Sequence, residues 1–274
     1  MRSLFCCPLC GKPLRQQGNA LCCLNRHSFD FAAQGYVNLL PANRRHSAAP
    51  GDDAGMVAAR RAFLQQGSYA PFAKKLCQLA QECTANIAAP AVLDAGCGEG
   101  YYTGLLAKAL GPAAQVAAFD ISKNAVRAAA KQYPAVQFAV ASAFAIPVAD
   151  ASIDLLVNVF APLAAEEYLR LLRPGGYFIY AVPGPRHLMG LKQVLYDTPY
   201  ENTVKDTQYT GFRFCRRVPV AGSLQLIGTQ QIEALFAMTP YYWRTPAQGA
   251  ERLRQQDTLA TEIEFDFLVY QKNT

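Results

Sequence analysis

Short apolar runs alternate with amphipathic stretches through the middle of the chain, between about residue 90 and residue 182. Apolar runs bounded by polar residues predict buried strands, and apolar positions recurring every three or four residues predict helices. The predicted strands are Ala91–Leu93, Val116–Phe119, Val136–Val140, Ile153–Val157 and Tyr177–Val182, and the predicted helices between them are 101–110, 122–132 and 164–172. Strands that alternate with helices predict an α/β fold with a parallel sheet covered on both faces.

The flanking regions follow other patterns. Helical spacing predicts helices at 56–66 and 69–86, and the tail predicts extended segments at 211–220 and 261–270 with a helix at 228–238 between them. The first 40 residues are too few, and too often interrupted by glycine, to bury a core without a staple. We therefore predict a small module at 1–40, a basic linker at 41–58 and one large domain at 59–274.

Composition narrows the class of protein. With 51% hydrophobic and 17% charged residues among 274, general disorder is excluded. No uncharged apolar run reaches the roughly 18 residues of a membrane span, and Met1–Cys7 lacks the apolar region of a signal peptide. Nine cysteines, an odd number, without an export signal predict a reducing cytoplasm rather than a disulfide framework.

The net charge of +6 is unevenly distributed. Residues 1–75 hold ten Lys or Arg and three Asp or Glu, a net +7, whereas residues 76–274 hold 16 against 17, a net −1. A basic end on a near-neutral body favours a polyanionic partner, and an ordinary solvated surface is the alternative.

Four residues near the N-terminus have the spacing of a metal site. Cys7 and Cys10 are followed after twelve residues by Cys23 and then by His27, which is the pattern C-x2-C-x12-C-x3-H. Three thiolates and one imidazole predict a closed tetrahedral zinc site that is structural rather than catalytic. Cys6 and Cys22 give less typical spacings and are taken as bystanders; free buried thiols and a CxxC redox centre are the alternatives.

A glycine-rich turn follows the first strand of the sheet. It has the form D-x-G-x-G-x-G from Asp94 to Gly100, not the G-x-G-x-x-G of a dinucleotide fold. This turn resembles motif I of the class I S-adenosylmethionine-dependent methyltransferases. Asp94 can face the charged end of that cofactor, Asp120 the ribose hydroxyls and Ser142 the adenine edge. A nicotinamide enzyme and a turn without a ligand are the alternatives.

The segment after the fourth strand limits the methyl acceptor. It reads Asn158–Val159–Phe160–Ala161–Pro162, with neither the Asn-Pro-Pro-Tyr motif that positions exocyclic amino groups nor a Pro-Cys nucleophile. A ring nitrogen, a hydroxyl or a small-molecule carbon remain as acceptors.

Across nearly its whole length the chain resembles the bacterial 23S ribosomal RNA guanine-N1 methyltransferases of the RlmA type. The segments that carry the resemblance are Cys7–Cys10, Gly35–Pro41, Pro50–Asp52, Ala59–Leu64, Gly67–Tyr69, Gly96–Thr103 and Pro183–Leu188. The resemblance implies a class I methyltransferase fold with a seven-stranded, mostly parallel sheet and an N-terminal zinc-binding module that recognises RNA. It implies zinc at Cys7, Cys10, Cys23 and His27, and cofactor contacts from Tyr69, Gly98, Glu99 and His187 beside Asp94, Gly96, Asp120 and Ser142.

The same resemblance implies a target guanine in a hairpin of domain II of 23S rRNA, near the peptide exit tunnel, where methylation affects macrolide sensitivity. We expect a basic face for the RNA phosphates, formed by Arg44, Arg45, Arg60, Arg61, Lys74 and Lys75. Tyr69 has the alternative role of packing within a helix, and His187 has the alternative role of capping the helix that follows it. No general base is identified, and a homodimer is possible. A small-molecule methyltransferase of the quinone or sterol type, or a non-enzymatic RNA-binding protein on this fold, are the competing functions.

Overall fold

The chain is described in a computed structural model at residues 2–41, 50–203 and 208–274, so Arg44 and Arg45 of the expected basic face lie outside the described residues. The strands are β1 (Arg2–Cys6), β2 (Pro13–Gln17), β3 (Ala20–Cys22), β4 (Ser28–Asp30), β5 (Val37–Asn38), β6 (Ala91–Ala95), β7 (Gln115–Asp120), β8 (Gln137–Val140), β9 (Ile153–Val159), β10 (Leu172–Pro183), β11 (Phe212–Ile227) and β12 (Thr258–Lys272). The helices are α1 (Ala54–Gln65), α2 (Ala70–Thr84), α3 (Tyr101–Leu110), α4 (Lys123–Gln132), α5 (Ala165–Leu171), α6 (Met189–Leu195), α7 (Thr229–Ala237) and α8 (Ala247–Arg254), with a 3-10 turn at Pro240–Trp243.

The main sheet has eight strands in the order β11-β12-β10-β9-β6-β7-β8-β5. The pairs from β10 to β5 are parallel, and β12 is antiparallel to both β10 and β11. The expected mostly parallel sheet is confirmed. The large domain supplies seven of these strands, and the eighth, β5, is a two-residue strand that reaches the sheet from the N-terminal segment.

Three strands extend beyond the prediction. The fifth strand, predicted at Tyr177–Val182, begins at Leu172, because α5 ends at Leu171 and Pro174–Gly176 lie within β10 instead of separating the helix from the strand. The register of β10 against β9 shifts between Leu172 and Tyr177, so the Pro-Gly-Gly segment forms an irregularity inside the strand. The tail strands β11 and β12 are also longer than predicted, because they pair with each other continuously from Phe212–Lys272 to Ile227–Thr258 apart from one shift.

Each face of the sheet has its own core. Along β6 the neighbours Val92 and Leu93 point to opposite faces and belong to different clusters of buried residues. Helices α2, α3 and α4 cover the first face, for example through Leu76 and Leu106. On the second face the connection at 141–152, between β8 and β9, contains no helix.

The N-terminal segment covers that part of the second face. Strands β1 to β4 form a separate antiparallel sheet, and its residues Phe5, Leu14 and Leu21 are buried in the same core as Ala139 of β8. The backbone N–H of Cys6 donates to the carbonyl oxygen of Pro147 at 2.7 Å. The first 40 residues therefore replace a covering helix of the parallel sheet.

The lengths and compositions of the helices bear on whether the chain could span a membrane. Among the helices in the described ranges, none is long and apolar enough to cross a membrane.

Because the N-terminal segment and the sheet share one core, we expect Phe5→Ala to destabilise the whole protein. Phe5 is 1% exposed, and truncation of a buried phenylalanine costs about 3–5 kcal/mol. Urea unfolding followed by circular dichroism should show one transition with that loss. Leu24→Ala is the matched control, since Leu24 is 83% exposed and its removal should change the free energy of unfolding by less than about 0.5 kcal/mol. A wild-type-like transition for Phe5→Ala would contradict the shared core.

Candidate functional site

A cavity of about 660 Å³ opens at the carboxyl ends of the central strands. Its floor is the glycine turn after β6, where Gly96, Gly98 and Gly100 all have the left-handed φ that favours glycine. The N–H groups of Gly96 and Cys97 donate to the carbonyl oxygen of Phe119 at 2.9 and 3.0 Å, which ties the turn to β7. A Cβ atom on Gly96 would lie 2.3 Å from the Cβ of Ala161, so the turn after β9 leaves room only for glycine.

Asp94 is the penultimate residue of β6, beneath this turn, and is 2% exposed. Its Oδ2 accepts a hydrogen bond from Thr103 Oγ1 at 2.5 Å, whereas its Oδ1 finds no partner among the residues that the structure describes. Burial raises the pKa of Asp94 to about 7. A buried acceptor without a donor fits a cationic, hydrogen-bond-donating ligand such as an ammonium group.

Two further carboxylates lie on the wall of the same cavity. Asp120, at the end of β7, accepts the N–H of Ser122 at 2.8 Å and that of Gly98 at 2.9 Å. Burial raises the pKa of Asp120 and of Glu99. Three acidic groups in a cavity with glycine backbone at its floor fit S-adenosylmethionine, which carries positive charge and two ribose hydroxyls and has no phosphate.

The predicted residue Ser142 also lines this cavity and is half-buried. Its Oγ accepts the N–H of Phe144 at 3.3 Å, which shapes the turn after β8. The ring of Phe144 is 69% exposed beside it.

An aromatic wall closes another side of the cavity. Tyr69 and His187 both line it, with their ring centroids 6.3 Å apart, and each also packs against Phe265, at 4.9 and 4.6 Å. Tyr69 stands at the start of α2 and is 3% exposed, and burial raises the pKa of its hydroxyl.

His187 does not cap the helix that follows it. The N-cap of α6 is Leu188, which makes no side-chain capping bond. The Nδ1 atom of His187 instead accepts the backbone N–H of Glu264 at 3.4 Å. Burial lowers the pKa of His187 to about 3, so the ring is neutral at pH 7 and its single proton is on Nε2.

The described residues of the expected basic face do not form one exposed surface. The side chain of Arg60 forms an ion pair with Asp52, donates to the carbonyl oxygen of Met238 and lines the cavity, so it does not lie on an open face. Arg61 donates to Gln132 Oε1 at 2.5 Å, outside the cavity lining. Of the two lysines, Lys74 is exposed and Lys75 is half-buried and bonded to Gln78.

Sequence reasoning missed the parts of the site that depend on contacts between distant segments. Asp52 lies over the end of β7, where its carbonyl oxygen accepts a hydrogen bond from Ser122 Oγ at 2.6 Å. Phe160 follows β9 with a φ of 56°, and Leu188 follows His187 with a φ of 58°. A left-handed backbone conformation of this kind costs about 1–3 kcal/mol for a non-glycine residue. In the sequence, the one sign of it at Phe160 is that the turn Asn158–Pro162 contains no glycine.

The four predicted metal ligands form one cluster. Their ligand atoms all lie within 4.8 Å of one another. Cys7 Sγ is 3.3 Å from His27 Nδ1, Cys23 Sγ is 3.5 Å from the same atom, and Cys10 Sγ is 3.7 Å from Cys23 Sγ. Tetrahedral zinc with bonds of about 2.3 Å to sulfur and 2.0 Å to nitrogen separates its ligands by about 3.5–3.8 Å, so the cluster fits zinc with no open position. Cys6 and Cys22 are not members of this cluster.

The comparisons with known proteins cover both parts of the chain. Residues 5–48 match a zinc-ribbon family model described as "RlmA, N-terminal", and residues 92–176 match one described as "Methyltransferase domain". A protein of Micromonospora griseorubida with the name "Putative 23S rRNA (guanine-N(1)-)-methyltransferase" is 36% identical over 271 residues, 90% of each chain. The chain belongs to this family. It is therefore an S-adenosylmethionine-dependent methyltransferase with an N-terminal zinc ribbon, whose Cys/His cluster is compatible with a structural zinc ion.

Other likenesses agree with this membership. The 23S rRNA (guanine(748)-N(1))-methyltransferase of Streptomyces fradiae is 39% identical to the methyltransferase over 190 residues, 69% of this chain and 66% of that one. Among solved structures, the [4+2]-cyclase SpnF matches with a TM-score of 0.50 at 20% identity, over 73% of this chain and 80% of that one. The last likeness shows the fold alone, since the sequence identity is only 20%.

We expect Cys23→Ser to remove the zinc and to destabilise the methyltransferase domain as well as the ribbon. Metal analysis should give one zinc per wild-type chain and much less than one for the variant, with a loss of several kcal/mol in the free energy of unfolding because zinc supplies folding energy. Cys22→Ser is the control, since Cys22 Sγ bonds Ser28 Oγ at 3.5 Å outside the cluster. It should keep its zinc and its stability. Full zinc content in Cys23→Ser would refute the assigned ligand set.

Proposed function

We propose that this protein transfers the methyl group of S-adenosylmethionine to N1 of a guanine in 23S rRNA. The observation that carries the proposal is the combination of two sites in one chain: a glycine-turn cavity with an unpartnered buried carboxylate oxygen, and a zinc ribbon packed onto the same sheet. The relative that matches 90% of this chain, and so spans both sites, is named for this reaction.

The cofactor residues proposed here are those that surround the cavity. Asp94 would accept from the amino-acid end of the cofactor, Asp120 and Glu99 from its hydroxyls, and Ser142 would lie at the adenine. Gly96 and Gly98 would admit the cofactor close to the backbone, and Tyr69 and His187 would complete the aromatic wall. When bound, the cofactor supplies a methyl group on a positively charged sulfur, which makes that carbon open to attack.

The transfer forms a bond from guanine N1 to the methyl carbon, breaks the carbon–sulfur bond and releases the N1 proton. The walls of the cavity exclude water and fix the approach of the two reactants, which can supply a large part of the rate. His187 is neutral and holds its proton at Nε2, so it is suited to donate a hydrogen bond and unsuited to take up the N1 proton. Asp154 is also unsuited to that task, because it bonds the N–H of Ala91 and Arg173 at the opposite end of the sheet.

The ribbon is proposed to recognise the RNA, together with the linker at 41–58, the exposed Lys74 and the half-buried Arg61 and Lys75. Arg44 and Arg45 belong to the same proposal through the charge of the sequence alone. The support is the net +7 of residues 1–75 and the polyanionic nature of RNA. A hairpin of domain II as the target, a cytoplasmic location and a homodimer stay predictions.

Methyl transfer to RNA is the direct test. Purified protein and methyl-labelled S-adenosylmethionine should label an unmodified 23S rRNA transcript, and reverse transcription should stop at one guanine because N1 methylation blocks base pairing. The KM for RNA should rise steeply with salt if several phosphates are contacted. Labelling of a quinone or sterol panel without RNA labelling would favour the small-molecule alternative. The absence of any transfer by a protein that binds the transcript would favour the non-enzymatic one.

Cofactor affinity should depend on pH through Asp94. Its pKa of about 7 in the folded chain lies above the ordinary aspartate value of 3.8. The unliganded folded chain therefore keeps a proton that the unfolded chain loses, and the free energy of unfolding falls as pH rises from about 4 to about 7. A cation at Asp94 favours the ionised form. Affinity for S-adenosylmethionine should therefore rise roughly fivefold from pH 6 to pH 7.5, since ionisation of Asp94 outweighs the partial loss of charge on the cofactor's own amino group.

Calorimetric titration of Asp94→Asn should show weaker binding without this pH dependence. Asp150→Asn is the control, because Asp150 has a 76% exposed side chain paired with Arg170 on the surface, and it should titrate like wild type. An unchanged pH profile in Asp94→Asn would show that Asp94 does not face the cationic part of the cofactor.

A further inference from the structure

Phe160 is an exposed aromatic residue inside the mouth of the cavity. It follows directly after β9, lines the cavity and is 44% exposed. A phenylalanine at a φ of 56° is rare, because its Cβ crowds the backbone in the left-handed region. The sequence thus keeps a large ring at a position where glycine or asparagine would be easier to accommodate.

The turn that carries Phe160 is fixed by the side chain of Asn158. Asn158 is fully buried, and its Nδ2 donates to the carbonyl oxygen of Pro162 at 3.2 Å and to Tyr168 Oη at 2.7 Å. Its Oδ1 accepts the N–H of Ala161 at 3.1 Å. These three hydrogen bonds connect Asn158, before Phe160, to residues after it, and they hold the backbone of Phe160 in its strained form. Because they engage the side-chain amide of Asn158, that amide is not available to a ligand in the cavity.

The ring of Phe160 is supported from within the protein. It stacks nearly parallel to Phe72, with 5.7 Å between centroids and 19° between planes, and lies at 20° to the ring of His187 at 6.3 Å. Phe265 lies below, at 5.4 Å. Rings that pack on one another in this way form a rigid aromatic surface, and Phe160 is its only member classed as exposed in the described chain.

The position of this surface matches the acceptor side of the reaction. Ala161, the next residue, touches the glycine turn, so Phe160 stands directly beside the floor of the proposed cofactor site. A purine base taken out of an RNA stack loses its neighbours and gains from stacking on an aromatic ring. A planar ring face at this point suits a base presented edge-on to the methyl donor.

We propose that Phe160 is the stacking platform that positions the target guanine, while Asn158 serves only to hold the turn. This inference rests on the proposed function, and it deepens that function by assigning the residue that binds the acceptor base. It also gives a reason for methylation at a ring nitrogen: with its amide engaged in the turn, Asn158 cannot hold an exocyclic amino group, and stacking leaves the Watson–Crick edge free to face the donor.

Three variants of Phe160 separate stacking from stability. Phe160→Tyr keeps the ring, Phe160→Leu keeps an apolar side chain without a ring face, and Phe160→Gly removes both the ring and the left-handed strain. With the 23S rRNA transcript, kcat/KM should stay within about threefold for Phe160→Tyr and fall roughly 10- to 100-fold for the other two. Affinity for S-adenosylmethionine should change less than threefold in all of them. Phe214→Leu is the matched control, since Phe214 is 49% exposed on β11 outside the cavity lining, and it should behave as wild type.

A direct readout of stacking uses a transcript with 2-aminopurine at the mapped target position. Wild type and Phe160→Tyr should quench its fluorescence after the base leaves the RNA stack, whereas Phe160→Leu and Phe160→Gly should leave it bright. Activities that follow the melting temperatures or the cofactor affinities of the variants, rather than the presence of a ring, would overturn the inference. So would wild-type kcat/KM in Phe160→Leu. Failure of the wild-type protein to methylate RNA is a different result, and it would sink the proposed function itself.

Discussion

A parallel sheet must be covered on both faces, and in this protein one face is completed by the zinc ribbon. The connection at 141–152 supplies no helix, and the ribbon side chain of Phe5 is buried against the sheet in its place. A segment of 40 residues cannot hold such a surface together through its own core. A zinc ion held by the Cys/His cluster would do so, and it would then also stabilise the sheet that carries the cavity.

A second constraint links the donor and acceptor sides of the cavity. The glycine turn after β6 and the turn after β9 approach so closely that a single Cβ atom on Gly96 would clash with Ala161. The two turns are thus in direct contact, and the bonds of Asn158 keep the second turn in a strained form. Methyl transfer needs an in-line arrangement of nucleophile, carbon and leaving group, for which a displacement of about 1 Å is costly. Two turns in direct contact are a physical means of keeping that alignment.

Local patterns predicted the parts of this fold that depend on local interactions. The helix expected at 101–110 is Tyr101–Leu110, and strands β6 to β9 appear within two residues of their expected bounds, because apolar runs and glycine boundaries decide both. The four residues of the Cys/His cluster also followed from their spacing alone. Strand β5 could not be predicted, because a strand of two residues is too short to show an alternating pattern of apolar and polar positions. It forms only because the edge of β8 is free to pair with it. Arg60 was expected on a surface, and its pairing with Asp52 depends on how the segment after the linker folds over β7.

The same geometry changes how the uneven charge of the chain is understood. The charge distribution in the sequence suggests two independent parts, a basic module that binds RNA and a near-neutral domain that transfers the methyl group. In the structure the ribbon shares a core with the sheet and extends it with β5, so the two have a fixed separation. If the ribbon binds RNA as proposed, the distance from its phosphate contacts to the cavity is set by the protein and not by a flexible tether. Such a rigid spacing can select one guanine among several in a hairpin, because only a base at the right distance along the RNA reaches the cavity while the ribbon is bound.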